Sequence, residues 1–329
     1  MHFKKLTVIF FILSFFTPQN SYSSYASILI DANSGNVIYE NNANHPWYPA
    51  SLTKVMTLYL TFHALSQKQI SLADSMPVSK HAASQPNSKL GLRTGERISV
   101  QDAILALITR SANDASVVLA EFLGGNEQNF ASKMTAKAHA IGMYDSHFMN
   151  ATGLPHPWQS TTPRDLALLA WKIRHDFPNF YPYFSAHSFN FKGHELRGIN
   201  KFTANYPGAE GMKTGFTCGS GYNLISSAHQ SNKHLIGVVM GGMTSLERYQ
   251  LMSNMMNDGF ADHFKINNHK HISSLTSKSS LSPPYQLSCG KGATATAMAT
   301  ATPTLTKRKH PKNLIKHKKI IKKHKYKHA

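Results

Sequence analysis

The sequence predicts an α+β domain, and three observations carry that prediction. A hairpin signal opens the body of the chain, helix start and stop signals crowd its middle, and strand-like runs joined by short Gly-rich turns close it. Strands linked through short turns pair antiparallel. The opening hairpin and the closing strands are therefore expected in one sheet, with helices against it.

Each element has its own signal. Ser27-Ile28-Leu29-Ile30 and Val37-Ile38-Tyr39 are short apolar runs, separated by Asp31-Ala32-Asn33-Ser34-Gly35-Asn36, a turn composition. Pro49 ends an extended stretch, and residues 52–65 have helical composition without Gly or Pro, with Ser51 at the N-terminus. Ser99-x-x-Asp102 opens a helix over 103–109, and residues 112–123 form another that Gly124-Gly125 stops. Residues 130–141 follow, with Asn129 as the cap and Gly142 at the end. Thr162-Pro163-Arg164-Asp165 supplies a cap, a proline at the first helical position and an acid in the first turn. Leu166, Leu169, Ala170 and Ile173 then share one buried face. After residue 186 the period shortens: Phe189 and Phe191 alternate, and 213–217, 222–226 and 235–240 read as strands. Thr244-x-x-Glu247 caps a closing helix to Asn257, whose Met252, Met255 and Met256 read as core packing.

The ends differ in kind from this body. Lys4 and Lys5, the apolar run 6–16 and Ser21-Tyr22-Ser23-Ser24 describe a secretory signal peptide over 1–24. That run falls short of the roughly 20 residues a spanning helix needs, so an exported protein, in the periplasm or elsewhere in the cell envelope, is expected. Residues 264–329 are Ser-rich, then Ala/Thr-rich, then Lys/His-rich, a composition expected to remain disordered. Of the net charge of +19, +17 belongs to these ends, because residues 24–263 hold 18 basic and 16 acidic side chains. A body so nearly neutral excludes a basic nucleic-acid face. Eleven Lys/Arg and four His within 307–328 instead suit anionic lipid or wall polymers. Cys218 and Cys289 fit an oxidising compartment, either bridged or as two free thiols.

Within residues 25–263 three short motifs occur in order: Ser51-Leu52-Thr53-Lys54, Ser111-Ala112-Asn113 and Lys213-Thr214-Gly215. Decoys of the first two exist at Ser288-Cys289-Gly290-Lys291, Ser34-Gly35-Asn36 and Ser188-Phe189-Asn190. Only the set at 51, 111 and 213 places the first at a helix start, the second between helices and the third on a strand. Residues i and i+3 share a helix face, so Lys54 can reach the Ser51 hydroxyl. A serine becomes a nucleophile when a base takes its proton, and a lysine is that base only if its pKa falls, through burial or a nearby cation such as Lys213. The backbone amides of Ser51 and Phe216 are the expected oxyanion donors. Gly215 leaves room for a substrate backbone. Lys213 offers a fixed positive charge and Thr214 a hydroxyl for a carboxylate. Ser111 suits proton relay and Asn113 an amide clamp. No cofactor and no metal enter this chemistry.

The triplet resembles that of the penicillin-binding proteins and serine β-lactamases. Pro49-Ala50-Ser51-Leu52-Thr53-Lys54-Val55-Met56-Thr57, Ser111-Ala112-Asn113-Asp114-Ala115-Ser116 and Gly211-Met212-Lys213-Thr214-Gly215-Phe216-Thr217 are closer to the low-molecular-mass D-alanyl-D-alanine carboxypeptidases, and Gly221-Tyr222-Asn223-Leu224 and Asn150-Ala151-Thr152-Gly153-Leu154 add to the likeness. The resemblance covers about residues 25–262. It implies a β-lactamase/transpeptidase-like fold, acylation of Ser51 by peptidoglycan stem peptides ending in D-Ala-D-Ala, and β-lactams as covalent inhibitors. It also suggests Arg248 near the carboxylate pocket, against the plainer reading of a surface charge on the last helix. Arg197 has a weaker claim. A β-lactamase of the common class would carry a deacylating Glu in an E-x-x-L-N loop, and this sequence has none. A wall-binding protein acting through its tail is the reading from another class.

Overall fold

A computed structural model describes residues 25–264, 270–275 and 283. The signal-peptide reading of 1–24 and the Lys/His run fall outside the described residues. In chain order the elements are β1 (Ala26–Asp31), β2 (Val37–Asn41), α1 (Thr53–Ser66), β3 (Ser75–Pro77), α2 (Lys80–Ala83), β4 (Arg97–Ser99), α3 (Val100–Thr109), α4 (Asn113–Gly124) and α5 (Glu127–Ala140). There follow α6 (Pro163–Asp176), β5 (Ser188–Phe191), β6 (His194–Arg197), α7 (Lys201–Asn205), β7 (Ala209–Thr217), β8 (Gly221–Gln230), β9 (Lys233–Gly242) and α8 (Ser245–Phe260).

The hairpin and the late strands do share one antiparallel sheet, in the order β2-β1-β9-β8-β7. Its two faces separate by the period of two within β1. Ile28 and Ile30 join the core shared with α1 and α6, whereas Leu29 joins a smaller core with Met252, Met255 and Met256 of α8. Both faces are thus covered. The three methionines close directly on Gly237, where an added Cβ would lie 2.7 Å from the Met252 sulfur. They are packing residues, and they need a strand position with no side chain.

Caps account for the helix starts. Ser99 accepts from the Asp102 amide at 3.0 Å, Thr162 from Asp165 at 3.0 Å and Thr244 from Glu247 at 3.0 Å. One cap differs from expectation. Asn126, not Asn129, caps α5, because the Asn129 amide is itself the donor to Asn126 Oδ1 at 2.8 Å. The helix therefore begins three residues before the apolar periodicity does.

The folded body also runs past the boundary expected at His263. Phe264 stacks on Tyr39 at 4.7 Å. Beyond it, Val37 N donates to Lys270 O at 2.9 Å and Ile272 N to Gly35 O at 2.8 Å, and Ile272 is fully buried. Arg164, almost fully buried on α6, gives its Nε to Ile272 O at 3.1 Å and Nη2 to Ser273 O at 3.2 Å. A buried guanidinium has five donors to satisfy, and composition does not reveal that the segment after His263 supplies two of the acceptors. A chain ending at His263 should melt about 8 °C or more below one ending at Leu275. The loss combines Ile272 burial, about 2–3 kcal/mol, with orphaned Arg164 donors at about 1–3 kcal/mol each. Equal melting midpoints would make this segment dispensable.

Candidate active site

Ser51 does not begin an α-helix directly. Residues Ala50–Leu52 form a single 3₁₀ turn, and α1 starts at Thr53. Several contacts hold this turn. Asn223 of β8 is buried and donates Nδ2 to Tyr48 O at 3.0 Å and Pro49 O at 3.3 Å, while its Oδ1 accepts from Gly241 N at 2.9 Å. Trp47 Nε1 donates to Ser220 O at 2.8 Å. From the other side Gly153 presses on the turn: with φ +82°, its Cβ would lie 1.8 Å from Ala50 O. Only glycine fits there.

Lys54, one turn on, is fully buried. Its Nζ lies 3.1 Å from Ser51 Oγ and donates to Asn113 Oδ1 at 2.7 Å and to Thr152 O at 2.6 Å. Thr152 stands in a loop whose fold is held by Asn150 Oδ1, which accepts from Gly153 N at 2.7 Å and Thr152 Oγ1 at 3.1 Å. Asn113 in turn donates Nδ2 to Pro86 O at 2.9 Å. Burial first, and the Lys213 cation second, hold the Lys54 amine well below its ordinary range. The geometry suits the neutral amine. Its two N–H bonds have two fixed acceptors, and the remaining lone pair faces the Ser51 hydroxyl.

On the other side of the site, β7 is the edge strand and lies against the 50–52 turn. A Cβ on Gly215 would meet Pro49 O at 3.0 Å and Ser51 N at 3.2 Å. The absence of a side chain therefore lets the strand close on the Ser51 backbone, a tighter demand than leaving room for substrate alone. Phe216 follows on this edge, 46% exposed, with its ring stacked on Tyr222 at 4.1 Å. Lys213 is buried, donating to Ser111 Oγ at 2.9 Å and to Thr214 O at 2.8 Å. Thr214 is buried as well, and Ser111 holds a left-handed φ of 56°. Burial and then Arg248 push the Lys213 amine down to about 7. Both causes disfavour the protonated amine, so the Lys213 charge depends on what binds beside it.

Arg248 is not a surface charge. It is 5% exposed, with Nη1 3.3 Å from Asn223 O and Nη2 3.2 Å from Ser245 Oγ, and its guanidinium stacks 4.4 Å from the Tyr249 ring. Its cation, 3.5 Å from Gly215 O through Nη1, disfavours the charged form of Lys213. Arg197 lies elsewhere, 87% exposed on the β5–β6 hairpin. The structure thus gathers Ser51, Lys54 and Asn113 into one hydrogen-bonded unit and Lys213 with Ser111 into another. It adds three positioning features that the motifs alone do not name: the Thr152 carbonyl, Asn223 and Asp114. Buried Asp114 accepts from the Leu90, Gly91 and Leu92 amides at 3.0, 2.8 and 3.0 Å, holding the loop between α2 and β4. Cys218 is not a free thiol, and Cys289 lies outside the described residues.

Residues 15–244 match the family model of the D-alanyl-D-alanine carboxypeptidases. The chain belongs to that family. Among its members, the D-alanyl-D-alanine carboxypeptidase DacF of Bacillus subtilis is 32% identical over 252 residues, covering 75% of this chain and 64% of that protein. DacC of Escherichia coli is 36% identical over 250 residues, covering 73% and 62%. The chain thus spans under two thirds of the length of these curated relatives. Penicillin-binding protein 5 from Haemophilus influenzae superposes with a TM-score of 0.69 at 35% identity, over 72% of this chain and 70% of that one. Penicillin-binding protein D2 from Listeria monocytogenes, solved in an ampicillin-bound form, superposes at 0.64 with 29% identity, over 74% and 100%. The fold is the β-lactamase/transpeptidase-like fold of the carboxypeptidase family.

Proposed function

We propose that this chain is an exported serine D-alanyl-D-alanine carboxypeptidase that removes the terminal D-alanine from peptidoglycan stem peptides. The observation that carries the reading is the buried Lys54 amine, depressed in pKa and 3.1 Å from the Ser51 hydroxyl, in a chain of this family. Ser51 Oγ attacks the carbonyl of the penultimate residue while Lys54 takes its proton. The Ser51 and Phe216 amides hold the developing oxyanion. Ser111, which accepts from Lys213, passes its proton to the leaving D-alanine nitrogen and takes the proton held by Lys54, so that both groups return to their starting state. Asn113 orients a substrate amide. Lys213 and Thr214 receive the terminal carboxylate beside Gly215, and Arg248 reinforces the positive field. Water then hydrolyses the acyl-enzyme. β-Lactams acylate the same serine. The Listeria relative with bound ampicillin supports that part of the reading.

The direct test is D-alanine release from a peptide ending in D-Ala-D-Ala, followed against pH. Lys54 must be neutral and Lys213 protonated for a carboxylate substrate to react. With the Lys213 amine at about 7 in the free protein, kcat/KM should fall as pH rises above about 7. A bound carboxylate favours the charged amine and raises its pKa, so the alkaline limb of kcat should lie at higher pH than that of kcat/KM. A kcat/KM flat from neutral to strongly alkaline pH would remove Lys213 from carboxylate binding.

Export through residues 1–24 and retention through the basic tail complete the proposal. Cations near an anionic surface contribute about 1 kcal/mol each. Deleting 303–329 should release the protein from anionic envelope fractions and leave D-alanine release unchanged. Unchanged retention removes the tethering role, and a mature N-terminus still at Met1 removes the signal peptide.

A further inference from the structure

The end of the β7–β8–β9 unit away from the 3₁₀ turn carries a second cluster that the proposed reaction does not use. Glu210 lies near the start of β7, His229 near the end of β8 and His234 near the start of β9. His229 and His234 are a register pair across the β8–β9 hairpin, their rings stacked 3.8 Å apart. Glu210 is the residue the β7–β8 register skips, since Ala209 pairs with Ala228 and Gly211 with Ser227. A bulge of this kind re-aims a side chain. One ligand atom from each of the three residues lies within 4.8 Å of the other two.

The immediate surroundings also suit a cation. The Glu210 carboxylate is 3.6 Å from His234 Nδ1 and is oriented by Ser227 Oγ at 3.4 Å, which in turn accepts from the Tyr181 hydroxyl at 2.5 Å. Such outer contacts hold ligands in place. Arg174 of α6 approaches His234 Nδ1 at 2.9 Å. A guanidinium only donates, so that nitrogen presents a lone pair, and a side-chain cation already stands where a metal would.

We propose that Glu210, His229 and His234 form a binding site for a divalent first-row transition metal, with zinc as the fitting probe. Two imidazoles and one carboxylate suit zinc and its neighbours over magnesium or calcium. His229 is exposed and the other two are half-buried, which leaves the fourth position to water. Binding displaces the Arg174 guanidinium and ties β7, β8 and β9 together. This inference is independent of the reaction proposed above.

The test is thermal melting of the full-length, metal-stripped protein with and without zinc chloride, with magnesium chloride as the control. Zinc that binds only the folded state raises the midpoint, whereas zinc held equally by histidines in the folded and unfolded chain leaves it unmoved. At hundredfold excess over Kd the wild-type midpoint should rise by about 5 °C or more. The rise should vanish in His229→Ala and shrink in Glu210→Gln. Exposed His229 can be replaced without disturbing the core, and metal-free melting of each variant verifies its fold. No rise in the wild type, an equal rise with magnesium, or an undiminished rise in His229→Ala would each overturn the proposal.

Discussion

Ser51→Ala will abolish covalent labelling by a fluorescent penicillin and lower D-alanine release about 10⁴-fold or more, as loss of a serine nucleophile does elsewhere. The substitution removes one oxygen. The 3₁₀ turn that presents it is held by Asn223, Trp47 and the Gly153 contact, none of which touches the hydroxyl. The fold and melting midpoint should therefore stay close to wild type, and reversible binding of substrate should persist. Labelling of Ser51→Ala at the wild-type rate, or a wild type that takes no label, would exclude the serine mechanism.

Lys54→Met will slow acylation about 10²–10⁴-fold, the range of a lost general base. The stability effect is a near balance. Methionine removes a buried amine that is costly to charge, but it leaves Asn113 Oδ1 and Thr152 O without their donor, at about 1–3 kcal/mol each. Two readouts separate a base from a packing residue. The residual acylation should lose the acid limb set by Lys54. The stability of the variant should also depend less on pH. A lysine held below its ordinary value in the folded state binds fewer protons there than when unfolded, so wild-type stability rises with pH up to about 10.5. A Lys54→Met protein that acylates at the wild-type rate would assign the base elsewhere.

Much of the fold was legible from local rules. The caps at Ser99, Thr162 and Thr244, the stop at Gly124-Gly125 and the alternating strands are decided by neighbours within a few residues. The failures have a common form. Asn126 outcompetes Asn129 because a cap is defined by whose amide is free, which composition does not state. The segment around Ile272 looks too polar to fold, yet it docks because Arg164, over a hundred residues earlier, needs its carbonyls. Within the site, Ser51, Lys54, Ser111, Asn113, Lys213 and Gly215 were legible as motifs. Thr152 was not, since it contributes a carbonyl that every residue possesses.

By itself, then, the sequence marked the main helices and the strands of the large sheet, their order, and the motif positions 51, 54, 111, 113, 213, 214 and 215. These follow from period, capping and short spacing. Only the tertiary structure decided the direction in which the two lysines of the proposed chemistry are shifted. Burial lowers both amines, with the Lys213 cation acting second on Lys54 and the Arg248 cation second on Lys213. Desolvation and the distance between cations are properties of packed space, set by residues that the chain brings together from far apart.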